Sequence, residues 1–164
     1  MPQAVEAAGY LREFIKSFEM QHQVTARVII FCQTKKLVNN LGEEIPHAVI
    51  FHADLPMETK NSHITKYESG EANILIATGA IGAGFDFALI HLVIHLHGAW
   101  SFTDFMQESG RAGRSPDQPG WSYCLVTVSD LPDRVNDSLD RSLFREYLNE
   151  KVCRRRPISR VFSD

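Results

Sequence analysis

Apolar residues recur along the chain at two spacings, which predict alternating helices and buried strands. Residues 2–20 carry apolar side chains at three- and four-residue steps, the spacing of an amphipathic helix. Short runs rich in β-branched residues are typical of buried strands. The predicted strands span residues 27–32, 48–51, 74–77, 92–94 and 121–128.

The segments between these strands carry helical patterns. Helices are predicted over residues 34–45 and 57–69, from Ser101, and from about residue 135. Phe102, Phe105 and Met106 are expected to share one face of their helix, and Leu139 is expected on the apolar stripe of the last helix. Alternation of strands and helices predicts an α/β fold, with a mostly parallel sheet covered by helices on both faces.

Composition limits the class of protein. The 164 residues, 44% hydrophobic and 23% charged, suit one globular domain with a full core. A net charge of −3 means that nucleic-acid contacts must come from local patches. Three cysteines without a Cys-x-x-Cys pair argue against a disulfide framework and favour a reducing compartment, nuclear or cytoplasmic. The sequence shows no membrane-spanning or secretion pattern, so we expect no membrane partner.

Candidate chemistry begins after the strand at 74–77. Thr78, Gly79, Gly82, Gly84 and Asp86 follow that strand, where open α/β sheets place their ligand sites. A plainer interpretation makes the glycines a strand-to-helix turn and the aspartate a helix cap.

A second polar segment, residues 107–114, contains Gln107 and two arginines three residues apart, Arg111 and Arg114. Small residues separate the arginines, so both can point at one polyanion, and the guanidinium fork matches phosphate oxygens. The alternative is that both are solvated charges at a helix end.

These two segments resemble motifs V and VI of superfamily 2 helicases. Residues 77–86 resemble motif V, and residues 107–114 resemble motif VI in its RecQ form, whereas the DEAD-box form opens with His-Arg. Residues 93–95 also resemble RecQ proteins, and residues 29–36 resemble motif IV. The resemblance implies a RecA-like three-layer domain at residues 26–130, the second lobe of a helicase motor. Residues 1–25 would be a leading helix.

The resemblance implies ATP and Mg²⁺ as cofactors, held mainly by a first lobe. Arg111 and Arg114 would sense phosphate, with Arg114 as the arginine finger and Gln107 in the supporting hydrogen bonds. Gly82, Gly84 and Asp86 would lie at the nucleotide.

The resemblance also implies contacts with single-stranded or unwinding DNA. The residues expected there are Gln33, Thr34, Lys35, His52, Thr78 and Gly79. For Thr34, the alternative is a helix N-cap flanked by solvated lysines. The chain departs from the RecQ pattern at Asp54, where glycine is usual and a carboxylate would repel phosphate, and at Phe87, where lysine is frequent.

Residues 131–164 are expected to form a helix and the truncated start of a zinc-binding segment. Cys153-Arg154-Arg155, followed by residues 161–164, resembles the opening of the RecQ zinc subdomain. Structural zinc needs four ligands, so Cys153 alone cannot hold the metal. The alternative is a basic tail beside a free thiol.

The 164 residues contain no Gly-Lys-Ser/Thr and no Asp-Glu pair, which first lobes use for phosphate and metal. The resemblance therefore implies an N-terminal RecA-like lobe as partner, in cis or in trans, and a chain that is inactive alone. The expected whole is a 3′–5′ DNA helicase of repair and recombination. The alternatives are a non-catalytic fragment or pseudo-helicase that binds nucleic acid or protein, and the lobe of an RNA helicase.

Overall fold

The computed structural model describes residues 2–81, 85, 87–115, 117–127, 130 and 138–162. The helices are α1 Pro2–His22, α2 Lys35–Glu44, α3 Met57–Ser69, α4 Phe102–Ser109, α5 Leu139–Asn149 and α6 Arg155–Phe162. The strands are β1 Val28–Cys32, β2 Ala48–Phe51, β3 Ile74–Ala77, β4 Leu92–Leu96 and β5 Trp121–Leu125. A 3₁₀ turn, Gly79–Ile81, follows β3.

The described strands form one parallel sheet in the order β2-β3-β1-β4-β5. Ile30 in the central strand β1 lies opposite Ile76 of β3 and Ile94 of β4. Every strand runs in the same direction, so the carboxyl ends of all five lie along one edge.

Helices cover both faces of the sheet, because alternate residues of each strand point to opposite sides. Ile30 and Ile94 pack with Leu11 of α1 and Leu41 of α2 in one buried cluster. On the other face, Tyr67 of α3 packs with a second cluster of strand residues, Ile29, Phe31, Leu75 and Val93. The predicted α/β fold with a parallel sheet and two helical layers is therefore confirmed.

Local hydrogen bonds explain several element boundaries. Thr34 Oγ1 accepts a hydrogen bond from Leu37 N at 3.2 Å and caps α2, as the plainer interpretation of this residue predicted. Ser101 Oγ accepts from Asp104 N at 3.1 Å and caps α4. Gly70 ends α3 with φ 80°, a left-handed conformation that glycine adopts without steric cost.

Two residues of the predicted apolar helix faces are exposed. Met106 is 46% exposed. Successive residues of a helix are rotated by about 100°, so Met106 lies about 70° away from the direction midway between the buried Phe102 and Phe105. Leu139 is 81% exposed, since it stands in the first turn of α5, before the residues that pack on α4, Leu143 and Phe144.

Other boundaries differ from expectation by a few residues. The strand β4 continues to Leu96 because residues 95 and 96 still pair with Phe31 and Cys32 of β1. The last predicted strand ends at Leu125, and the helix expected from about residue 135 begins at Leu139; residues 131–137 lie outside the described part of the chain. The helix α6 begins inside the arginine-rich segment, at Arg155, where the sequence analysis named no helix.

Candidate nucleic-acid interface

The carboxyl edge of the sheet gathers the predicted motif IV and motif V residues. His52 follows β2, Thr78 follows β3, Gln33 and Thr34 follow β1, and His97 follows β4. Because β2, β3, β1 and β4 are successive neighbours, these positions form a row along one edge. Segments up to 64 residues apart in sequence meet there, since Gln33 Nε2 donates to the His97 carbonyl at 2.6 Å.

The motif IV residues border open space. An open cleft of about 390 Å³ lies beside Gln33, Thr34 and His97. Thr34 and Lys35 are exposed, and Gln33 is half-buried. Asp130 connects the ends of β4 and β5 at this cleft, because it bonds His97 Nδ1 at 2.9 Å and accepts from Thr127 N at 2.6 Å.

The Lys35 ammonium contacts a carboxylate of the same chain. Lys35 Nζ lies 2.6 Å from Asp54 Oδ2. The hydrogen bond from Lys35 lowers the pKa of the Asp54 carboxyl, which is therefore ionised at neutral pH. The residue that departs from the RecQ pattern is thus paired with a residue expected to contact nucleic acid.

His52, the other residue expected at this loop, is 4% exposed. Its Nε2 lies 2.9 Å from Asn39 Oδ1, and burial lowers its pKa, which favours the neutral ring. The structure therefore places the imidazole against α2 rather than on the surface.

The motif V segment begins at the neighbouring strand end. Thr78 N donates to Phe51 O at 3.1 Å, which extends the contact between β2 and β3 by one residue. Gly79 is exposed and starts the 3₁₀ turn. The predicted nucleotide residues Gly82, Gly84 and Asp86 lie outside the described residues.

Motif VI begins in the last turn of α4 and holds the two arginines, beyond the helix end, in different environments. Arg111 is 7% exposed, and its Nη1 donates to Phe85 O of the motif V loop at 2.7 Å. Arg114 is exposed, with Nε donating to Gly110 O at 3.0 Å, and Gln107 is exposed on α4. Arg111 is directed into the protein, where it joins the two motifs, and Arg114 is the more accessible of the two. The expectation that both arginines point at one polyanion stays a prediction.

A close contact between two glycines shapes the segment around Arg114. Gly113 has φ 65°, and a Cβ there would lie 2.6 Å from Gly120 N, in the turn before β5. Gly113 N also donates to Ile90 O at 3.0 Å. Only glycine permits this approach without moving the backbone.

A buried pair that the sequence did not predict links β4 to motif VI. His95 Nε2 lies 3.0 Å from Glu108 Oε2, with the imidazole fully buried and the carboxylate 13% exposed. A Cβ on Gly79 would lie 3.1 Å from Glu108 Oε1, so this carboxylate also borders motif V. His95 and Glu108 stand in the segments that resemble RecQ proteins, but the contact requires α4 to fold back over the end of β4.

The cysteines and charged groups of the described residues form no metal centre. Within the described residues, no group of three or more His, Cys, Asp or Glu side chains is arranged to hold a metal ion. Cys153 is exposed, and burial raises the pKa of the Cys32 thiol to about 12. In the same part of the chain, no helix is both long and apolar enough to cross a membrane.

Residues 8–116 match the family model described as the helicase conserved C-terminal domain. The chain belongs to this family. It is a helicase C-terminal domain of superfamily 2, and motifs IV, V and VI fall inside the matched range.

Curated relatives of this helicase domain include helicases with different nucleic-acid substrates. It is 31% identical over 116 residues to the DEAD-box ATP-dependent RNA helicase 40 of Arabidopsis thaliana, covering 67% of this chain and 11% of that protein. It is 23% identical over 152 residues to the ATP-dependent DNA helicase RecQ of Pasteurella multocida, covering 83% of this chain and 24% of that protein. The domain therefore spans a quarter or less of these two relatives.

Among solved structures, the helicase domain resembles the Mycobacterium smegmatis helicase Lhr bound to single-stranded DNA and AMP-PNP. The TM-score is 0.62 at 18% identity, over 76% of this chain and 17% of that one. At this identity the likeness shows the fold, and it confirms the expected RecA-like architecture.

Proposed function

We propose that the chain is the C-terminal motor lobe of a RecQ-like, ATP-dependent 3′–5′ DNA helicase. The contact between Arg111 and Phe85 O at 2.7 Å carries the proposal. It joins the motif V loop to motif VI and leaves Arg114 exposed beside them, as a residue that acts on a neighbouring lobe must be. The RecQ type is supported by Gln107-Glu108 and by the pairing of Glu108 with His95.

ATP and Mg²⁺ are the proposed cofactors, with most contacts on an N-terminal RecA-like lobe in cis or in trans. The sequence lacks the Gly-Lys-Ser/Thr of a phosphate-binding loop. When bound, ATP supplies a γ-phosphate whose hydrolysis drives movement along the strand. Arg114 is suited to stabilise the charge that develops there, an effect worth about 10³–10⁵ in rate by analogy with other arginine fingers. Gln107 lies on the same segment and supports that contact.

The nucleic-acid contacts proposed for this lobe lie on the carboxyl edge of the sheet. Gln33, Thr34, Lys35, Thr78 and Gly79 are at least partly exposed there, which suits hydroxyl, amide and ammonium contacts to backbone phosphates. His52 supports this edge from beneath, through Asn39 on α2. Single-stranded DNA is the proposed partner.

A second candidate is a non-catalytic domain that binds nucleic acid or a protein partner. Two observations favour it. Asp54 binds Lys35, and Phe87 is 2% exposed against Tyr67, so position 87 supplies no charge to the cleft. An RNA helicase lobe is the third candidate, supported by the RNA helicase relative.

The test compares the chain alone with a protein that carries both lobes. We expect no ATP turnover by the chain alone. In the two-lobe protein we expect hydrolysis that single-stranded DNA stimulates more than RNA does. Arg114→Ala abolishes it, whereas Arg155→Ala, an exposed arginine on α6, leaves the rate unchanged.

Each candidate gives a different result in this assay. Turnover by the chain alone contradicts the need for a first lobe. A wild-type rate in Arg114→Ala contradicts the finger assignment. Stronger stimulation by RNA supports the RNA helicase candidate. Nucleic-acid binding without hydrolysis in the two-lobe protein supports the non-catalytic candidate.

A further inference from the structure

The loop between β2 and α3 brings a carboxylate close to two lysines. Lys35 Nζ, in the first turn of α2, lies 2.6 Å from Asp54 Oδ2. Lys60 Nζ, on α3, donates to the carbonyl of the adjacent Ala53 at 2.6 Å. The Lys60 charge also contributes to the lowered pKa of Asp54.

This group of charges lies on the carboxyl edge of the sheet. Lys35 directly follows Thr34 and Gln33 at the end of β1, and Asp54 follows the end of β2. The side chains of Lys35 and Asp54 are 49% and 64% exposed, so solvent and ligands reach both. An anion that binds Lys35 therefore competes with Asp54.

The Lys35 ammonium bonds an anionic oxygen here, with a second ammonium on the next backbone carbonyl, and a backbone phosphate can take the place of that oxygen. Both a carboxylate and a phosphate present charged oxygens to lysine, at similar hydrogen-bond lengths. In this chain the charged oxygen that contacts Lys35 belongs to Asp54, in the loop between β2 and α3. Where the RecQ pattern has glycine at this position, the lysine ammonium would have no such partner from the loop.

We propose that Asp54 sets the nucleic-acid affinity of this domain, because its carboxylate competes with a backbone phosphate for Lys35. The proposal rests on the nucleic-acid binding proposed above and adds a residue that opposes it. A strand can bind with the Lys35–Asp54 pair intact, and its phosphate contacts Lys35 only if it displaces the carboxylate, which then repels it. The phosphate is common to DNA and RNA, so the same effect is expected for single-stranded DNA and single-stranded RNA.

The size of the effect follows from the exposure of the pair. Exposed ion pairs are weak, so a strand is able to displace the Asp54 carboxylate from Lys35. Removing the Asp54 charge by substitution is expected to strengthen binding about two- to five-fold. The freed lysine adds one phosphate contact. For single strands, each such contact steepens the dependence of log affinity on log salt by about 0.7.

The experiment measures the binding of fluorescently labelled oligo(dT) and oligo(U) by anisotropy at several salt concentrations. Asp54→Asn removes the charge and keeps the size of the side chain. We expect tighter binding of both strands at low salt and a steeper salt dependence. Lys35→Ala weakens binding, and in the double variant Asp54→Asn no longer strengthens it.

Glu71→Gln is the matched control. Glu71 pairs with Lys66 at 3.7 Å, with side chains 66% and 45% exposed, so the variant changes the net charge by the same amount. This pair lies between the end of α3 and the start of β3, on the opposite edge of the sheet. We expect the affinity and salt dependence of Glu71→Gln to equal those of the wild type.

Failure of this inference is distinguishable from failure of the proposed function. Equal strengthening by Asp54→Asn and Glu71→Gln means a general charge effect and overturns the role of Asp54. Wild-type affinity in Asp54→Asn, with weaker binding by Lys35→Ala, overturns only the competition. If neither the wild type nor any variant binds either strand at low salt, both this inference and the nucleic-acid function are wrong.

Discussion

Arg111 and Arg114 carry the same charge in the same motif but differ in what they contact. Arg111 is buried and bonds the motif V loop, while Arg114 is exposed beyond the end of α4. A buried charge is tolerated only where it is hydrogen-bonded. Arg111 is therefore expected to support the fold, and Arg114 to act on a ligand or a neighbouring lobe.

Alanine at each position separates these roles. Arg111→Ala is expected to lower the free energy of unfolding by about 1.5–3 kcal/mol, because Phe85 O loses a charged donor. Arg114→Ala is expected to change it by less than about 0.5 kcal/mol, as for most surface substitutions. Urea denaturation followed by circular dichroism measures both. Equal losses would show that Arg111 has no special structural role.

Within the elements, two glycines occupy opposite environments. Gly113 has φ 65° and faces the backbone of Gly120, in the turn that holds Arg114. Gly9 lies inside α1, and nothing stands within 4 Å of a Cβ built there. The turn needs glycine, whereas the helix would form more readily with alanine.

The same substitution should therefore have opposite effects in the two elements. Gly9→Ala is expected to raise the free energy of unfolding by about 0.5–1 kcal/mol, through helix propensity. Gly113→Ala is expected to lower it by about 2 kcal/mol or more, because a left-handed conformation and a backbone clash combine. Thermal unfolding of the two variants checks both signs, and a neutral Gly113→Ala would mean that the turn relaxes freely.

At the scale of the whole molecule, α1 packs into the core of the sheet and is expected to be part of the same cooperative unit. Leu11, Ile15 and Phe18 belong to the same buried cluster as the strands β1 and β4. Phe18 packs edge-on against Trp121 of β5, with ring centroids 5.2 Å apart. We infer that the leading helix expected at residues 1–25 unfolds together with the lobe at residues 26–130.

Leu11→Ala tests this inference. A fully buried leucine truncated to alanine costs about 2–5 kcal/mol, and the loss should destabilise the whole domain. Circular dichroism and tryptophan fluorescence should then show one coincident unfolding transition at lower denaturant. A tryptophan transition that precedes the loss of helix would show that α1 detaches separately.

Local chemistry made much of the fold predictable. The β-branched runs indicated all five described strands, and Thr34, Ser101 and Gly70 marked helix ends correctly. These signals involve residues within four positions of each other, so the sequence alone is enough to predict them. The motif spacing likewise indicated the helicase family before any contact was known, and the family match confirms it.

The contacts that define the candidate site depended on the tertiary structure. Arg111 reaches Phe85 across 26 positions, Lys35 reaches Asp54 across 19, and His95 reaches Glu108 across 13. The sequence identified most of these residues but not their partners. Side-chain direction follows from the strand order and from helix packing, which bring distant segments together. The sequence thus determined the elements and the family, while the packing of the sheet and helices decided which charges are paired, buried or exposed.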